Sequence, residues 1–255
     1  MTIQSSWTVQ PVSKELNLAA DELHIWRAKV SENIDNLAHY RCLLSQDEQE
    51  KASLFHFVED KYRYIIARGI LKTLIGEYIN SAARSIPLRY SEYGKPYLNI
   101  NNISKVLKFN LSHANDVIIY GFTKNIDVGV DIEFVNDKLN IYELAPYFCT
   151  QEEYEVMLKL PEKQKSAYFY KLWVLKEAFI KSIGLGLSYD LKDISIDTHK
   201  NKCLIFPQES YMINYQDNKI NICDFSCFNQ YNSAFAVGEP IKKVYYLSYS
   251  MAALK

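Results

Sequence analysis

Apolar positions along the chain follow two periods, one of two residues and one near 3.6, arranged in blocks. Leu23 and Ile25 alternate with polar neighbours and run into Trp26, Arg27 and Ala28, which predicts a first strand; residues 1–20 carry no period and read as a surface arm. Ser45 with Glu48 three positions on forms a capping-box pair opening a helix toward Phe57. Residues 59–79 follow as a longer amphipathic helix, with Tyr62, Ile65, Ile66, Ile70 and Leu74 near one face. Pro87 breaks that region, and residues 90–98 read as strand, turn and strand, with Gly94 and Pro96 in the turn. Val106–Ser112, Val117–Phe122 and Asp127–Phe134 are three β-rich runs in succession. Helices are expected at 141–148, after a Thr150 cap with Glu153 at the reciprocal position, and through Ala167–Ser182. Strands are expected at Ile194–Ile196, Cys203–Phe206, Met212–Tyr215, Ile220–Phe225, Ala234–Val237 and Val244–Tyr249.

The order strand, helices, strands therefore occurs twice, and the halves meet near residues 120–125. This predicts an α+β fold of two α/β subdomains, residues 1–122 and 123–255. No repeated motif accompanies the order, so the duplication rests on the elements alone. Thirty-two Tyr and Phe residues (20 and 12) against 8 Gly imply dense packing. A net charge of −1 argues against a general nucleic-acid binder but leaves room for a local basic pocket taking a small phosphorylated ligand. The five cysteines are scattered without zinc-ligand companions, which suits buried reduced thiols. The N-terminus lacks a signal pattern and no apolar run reaches membrane-spanning length, so the expectation is a cytoplasmic protein with no membrane partner.

Asp131 and Glu133 stand two apart on a predicted strand, so they share a face while Val130 and Ile132 point to the core. Adjacent carboxylates facing a cavity repel unless a cation lies between them, and magnesium accepts such oxygens together with substrate phosphates. An isolated D-x-E is more often a solvated strand face. Trp173, Glu177 and Lys181 lie four apart on one helix face; Glu before Lys at that spacing is also the favoured surface ion pair. Ser112 and His113, adjacent on a strand, point to opposite faces and cannot form a nucleophile–base pair, which disfavours a serine hydrolase. Lys95 stands out among the cations because Gly94 and Pro96 fix the backbone on both sides of it.

Y-G-K-P (93–96), F-N-L-S-H (109–113), V-G-V-D-I-E (128–133) and F-Y-K-L-W-V-L-K-E-A-F-I-K (169–181) occur together and in this order. Over about residues 40–190 the chain closely resembles the 4′-phosphopantetheinyl transferases of the broad-specificity Sfp type, and residues 21–30 resemble the opening strand of cyanobacterial members. The resemblance implies transfer of phosphopantetheine from coenzyme A to a serine of an apo acyl or peptidyl carrier protein, releasing 3′,5′-ADP, with coenzyme A in the cleft between two similar subdomains. It implies Asp131, Glu133 and Glu177 as ligands of magnesium (manganese as the alternative), Glu177 also as base, and Lys181 as the group meeting the departing ADP. Lys176, Asn110, Ser112 and His113 match coenzyme A contacts, most of them to phosphate. Gly94, Lys95 and Pro96 match the adenine-side wall, and Lys51 and Arg63 match positions near the 3′-phosphate. Glu48 stands where some members carry a basic residue, Tyr64 where some carry a small hydroxyl with Arg68 one turn on to compensate, and Glu153 matches a third acidic position while also completing a cap.

A single chain carrying both subdomains completes the cleft alone, so a monomer is expected. Two other readings stay in view: a module that holds coenzyme A or a carrier without catalysis, and a metal-dependent phosphotransferase acting on a nucleotide.

Overall fold

A computed structural model describes residues 7–11, 16–100, 106–196, 202–205, 208–216, 218–238 and 241–251. Strands are β1 (Thr8–Pro11), β2 (Glu22–Lys29), β3 (Leu88–Tyr90), β4 (Pro96–Leu98), β5 (Leu107–Ala114), β6 (Val117–Lys124), β7 (Val128–Phe134), β8 (Lys202–Ile205), β9 (Gln208–Tyr215), β10 (Asn218–Phe225), β11 (Tyr231–Gly238) and β12 (Lys243–Ser250). Helices are α1 (Leu37–Leu43), α2 (Gln46–Ser53), α3 (Val58–Ile79), α4 (Ile141–Leu144), α5 (Gln151–Lys159) and α6 (Glu162–Ile183).

Two five-stranded sheets organise the chain, ordered β1-β12-β2-β6-β5 and β7-β11-β10-β9-β8. Period-two alternation sorts their faces. On β2 and β6, Trp26, Ala28, Ile118, Tyr120 and Phe122 pack with α1 and α3, whereas Leu23, Ile25, Val117 and Ile119 turn to the other sheet. Val128, Val130 and Ile132 of β7 meet them there, and Ala234 and Ala236 of β11 pack under α6. The layers thus run helices, sheet, sheet, helix, and the expected α+β architecture of two α/β halves is what the chain adopts.

Several expectations are corrected. The supposed surface arm supplies β1, whose backbone pairs parallel with β12, while residues 1–6 and 12–15 lie outside the described ones. β12 itself returns to the first sheet, parallel to β2 as well, so a cut at 122/123 leaves one strand of that sheet on the far side. Residues 194–196 are not a strand; a short 3₁₀ turn (Leu191–Asp193) precedes them. Phe206, expected at a strand end, is outside the described residues. Cys149, Cys223 and Cys227 are buried and in no disulfide, as expected, but Cys42 is exposed.

Both predicted capping boxes form: Ser45 with Glu48 on α2 and Thr150 with Glu153 on α5. Behind the first sheet, Trp26 Nε1 donates to Tyr78 Oη (2.8 Å), which lies 2.8 Å from His24 Nδ1. That hydroxyl can give its one proton to His24 Nδ1 while it accepts from Trp26, and Nε2 of the ring faces Glu22 Oε2 at 3.7 Å. Burial drives the His24 pKa down to about 4 against the opposing pull of Glu22, so the buried ring is neutral.

Candidate functional site

The site forms where the two sheets meet along β5 and β7. Their backbones do not pair directly; Asn110 Oδ1 of β5 accepts the Val130 N–H (2.9 Å) and ties one sheet to the other. With Val128, Val130 and Ile132 committed to the inter-sheet core, Gly129, Asp131 and Glu133 face α6. A Cβ on Gly129 would lie 2.0 Å from the Ala178 carbonyl and 2.3 Å from the Ser182 nitrogen. Only the missing side chain lets helix and strand approach this closely.

That approach brings the Trp173–Glu177–Lys181 face onto the strand carboxylates. Trp173 Nε1 donates to Glu133 Oε1 (3.3 Å), and Lys181 Nζ donates to Asp131 Oδ1 (2.5 Å) and Ser112 Oγ (3.0 Å). Ser112 in turn donates to Asp131 Oδ1 (2.9 Å). Asp131 Oδ2 and Glu177 Oε1 are buried without any hydrogen-bond partner. Above them opens a cleft of 750 Å³, lined by Arg68, the Tyr93–Pro96 hairpin and residues 110–113 of β5, with the buried Asp131 and Glu177 and their neighbours Glu133, Trp173 and Lys181 at its floor.

The electrostatics are strained in one direction. Burial, with repulsion from Asp131, lifts Glu133 to about 7 despite its bond to Trp173. Burial also raises Glu177, with Lys181 opposing and Asp131 adding. Burial works against the charge on Lys181, yet Asp131, Glu177 and Glu133 together hold its pKa above the ordinary lysine value. His113 is pushed below the usual histidine range by burial and by Arg63 and Lys181, so it meets the cleft as a neutral ring. The three carboxylates have one ammonium among them. Among the described residues no group of three or more His, Cys, Asp and Glu is drawn tightly enough together to hold a metal; Lys181 supplies the counter-charge on Asp131 instead.

Asp131, Glu133, Glu177, Lys181, Asn110, Ser112, His113, Gly94, Lys95 and Pro96 all line the cleft. Ser112 and His113 both reach it, although alternation predicts opposite faces, because β5 is the edge of its sheet and the cleft wraps its end. Lys176 does not. A step of one residue from Glu177 turns it by about 100° on a helix, and its fully buried Nζ donates to Glu153 Oε2 (2.5 Å) and to the carbonyls of Phe148 (2.8 Å) and Leu191 (3.1 Å). Glu153 is therefore a cap and a buried ion-pair partner rather than a cleft residue: it also accepts from Thr150 N (2.8 Å) and Ile196 N (2.8 Å).

Lys51 and Arg63 lie outside the cleft lining. Arg63 pairs with Asp60 and donates to the Asn115 carbonyl, while Lys51 Nζ hovers over the Tyr64 and Tyr90 rings (5.8 and 5.5 Å). The cation of α3 that lines the cleft is Arg68, over the same two rings, with Nη1 buried and unpartnered. Its sequence signal is an arginine inside the run Ile65-Ile66-Ala67-Arg68-Gly69-Ile70, where α3 is otherwise apolar. Glu48 faces away into a pair with Lys72 (2.7 Å).

Comparison with known proteins agrees with this geometry. Residues 12–122 match the model of the 4′-phosphopantetheinyl transferase N-terminal region, and residues 127–236 match that of the 4′-phosphopantetheinyl transferase superfamily. The 4′-phosphopantetheinyl transferase HetI of Nostoc is 31% identical over 194 residues, 76% of this chain and 81% of that protein. The 4′-phosphopantetheinyl transferase Sfp of Bacillus subtilis is 30% identical over 162 residues, 64% of this chain and 70% of its own length. A putative 4′-phosphopantetheinyl transferase of Synechocystis is 27% identical over 168 residues, covering 66% and 68%. Two family models that together run from 12 to 236, and a relative matched over most of both chains, settle the assignment: this chain belongs to the 4′-phosphopantetheinyl transferase superfamily.

Proposed function

We propose that the protein moves the 4′-phosphopantetheine arm of coenzyme A onto a serine hydroxyl of an apo acyl or peptidyl carrier protein, releasing 3′,5′-ADP. The observation that carries the reading is the pair of buried, unpartnered carboxylate oxygens, Asp131 Oδ2 and Glu177 Oε1, beside Lys181 on one cleft floor. Oxygen donors of this kind fit a hard divalent cation. Asp131, Glu133 and Glu177 would have to draw closer together than they stand here to hold magnesium, with manganese as the alternative; the ion would supply neutralisation of the diphosphate oxygens.

This chain's own groups do the rest. Glu177, raised by burial, takes the proton of the carrier serine. The serine oxygen bonds to phosphorus as the phosphorus–oxygen bond to 3′,5′-ADP breaks, and Lys181 donates to the departing oxygen. Ser112 holds Lys181 and Asp131 in register for that exchange. Asn110 and the neutral His113 line the diphosphate path, and the Gly94–Pro96 backbone walls the adenine. Arg68, with its free Nη1, takes the 3′-phosphate end, helped by Lys51 over the same rings; Arg63 is bound up with Asp60.

In this reading residues 1–122 form the adenine and 3′-phosphate side and residues 123–255 the metal side. The protein acts as a cytoplasmic monomer; no described helix is long and apolar enough to cross a membrane. The test is intact-mass measurement of several apo carriers incubated with the protein, coenzyme A and magnesium. One phosphopantetheine added per carrier is expected with wild type and none with Glu177→Gln. No gain on any carrier, or full gain with the variant, overturns the reading.

A further inference from the structure

Lys95 lines the cleft, but its ammonium is not offered to a ligand. It leaves the turn between β3 and β4 and crosses to the other half of the molecule. There Nζ donates to the carbonyls of Lys181 (2.6 Å), Ser182 (3.1 Å) and Val128 (3.2 Å). An ammonium has three N–H donors, so this one is saturated.

The acceptors explain why it is there. The carbonyls of residues 181 and 182 belong to the last turn of α6, where no further helical N–H follows to satisfy them; Gly184 closes the helix by bonding only to the Ile180 carbonyl. A cation at that end also meets the negative pole of the helix. The third acceptor is the first residue of β7, three positions before Asp131. One side chain from the hairpin thus grips the helix that carries Glu177 and Lys181 and the strand that carries Asp131 and Glu133. It does so beside Gly129, where the two backbones touch.

We propose that Lys95 is a positioning residue: its ammonium pins the end of α6 to the start of β7 and thereby sets the spacing between the helix-borne and strand-borne halves of the reactive site. The proposal rests on the functional reading above for what that spacing serves. The turn that walls one end of the cleft is by this clamp mechanically joined to the reacting groups at its floor.

The test compares wild type with Lys95→Met, which keeps the apolar stem and removes the donors, and with Lys95→Arg, which restores donors. Two readouts are taken: transfer kinetics on one apo carrier, and amide hydrogen exchange of the ligand-free protein. The methionine variant is expected to lose about 100-fold in kcat, the scale for reacting groups displaced by about 1 Å. Its coenzyme A KM should stay within about threefold of wild type, since the ammonium contacts no ligand. Amides of 180–184 should exchange about tenfold or more faster while those of α3 are unchanged, and arginine should recover part of both effects. Unchanged kcat, a loss in KM alone, or unchanged exchange at 180–184 overturns the clamp. If the methionine variant does not fold, Lys95→Gln carries the same readouts. Wild type that fails to transfer overturns the functional reading instead, and the clamp is then decided by exchange alone.

Discussion

Helix α6 carries two lysines five residues apart, each 2.5 Å from a buried carboxylate, and they have opposite fates. In the Lys176–Glu153 pair every group is used: the ammonium has three acceptors, and the carboxylate takes the cap N–H, the ammonium and the Ile196 N–H. In the Lys181–Asp131 pair one carboxylate oxygen has no partner, and the lysine side chain remains 29% exposed to an open cleft. Composition, distance and host helix are alike. What separates structural glue from a reactive centre is whether the hydrogen-bonding capacity is exhausted.

The contrast can be broken from either side. Lys176→Met leaves Glu153 buried and unpaired, and should cost about 3–5 kcal/mol of unfolding free energy by denaturant titration. Asp131→Asn should move stability by less than about 1 kcal/mol, because the Asp131 charge repels Glu133 and Glu177 and its loss offsets the lost pair with Lys181, yet remove transfer by a factor of about 10³ or more in the same carrier assay. If both variants unfold the protein, or both spare it and spare activity, the distinction fails.

His24 extends the saturated class to a titrating group. Its folded pKa of about 4 lies below the unfolded value near 6.5, so the folded state resists protonation. Its stabilisation is complete above pH 6.5 and is lost as pH falls through 4, a loss of about 3 kcal/mol by linkage. Stability against pH should therefore show an acid slope in that window that His24→Gln flattens; an unchanged slope assigns it to carboxylates elsewhere. Smallest are the caps: Ser45→Ala and Thr150→Ala should each cost about 1 kcal/mol.

Much of this site was legible because its rules are local. Residues 131 and 133 share a strand face, residues 173, 177 and 181 share a helix face, and both capping boxes announce themselves at three-residue spacing. The place of Lys176 is not legible from family position: one residue's rotation sends it behind the helix, and only the tertiary arrangement of Phe148, Glu153 and Leu191 shows what receives it. Arg68 is not distinguished from Lys51 and Arg63 by sequence, since nothing local tells which cation of α2 and α3 turns to a cleft formed by distant elements. Strand β1 is not legible because its four residues, which pair with β12, carry no period of their own.

Strand β12 pairs with β2 as well, and this bears on how the molecule comes into being. Leu23 and Ile25 find their parallel neighbours at Val244 and Tyr246, more than two hundred positions downstream. During synthesis the first sheet must wait, with one flank of β2 unpaired, until β12 has left the ribosome. Contacts of such separation are closed late and slowly, so the half that emerges first is the half whose assembly finishes last.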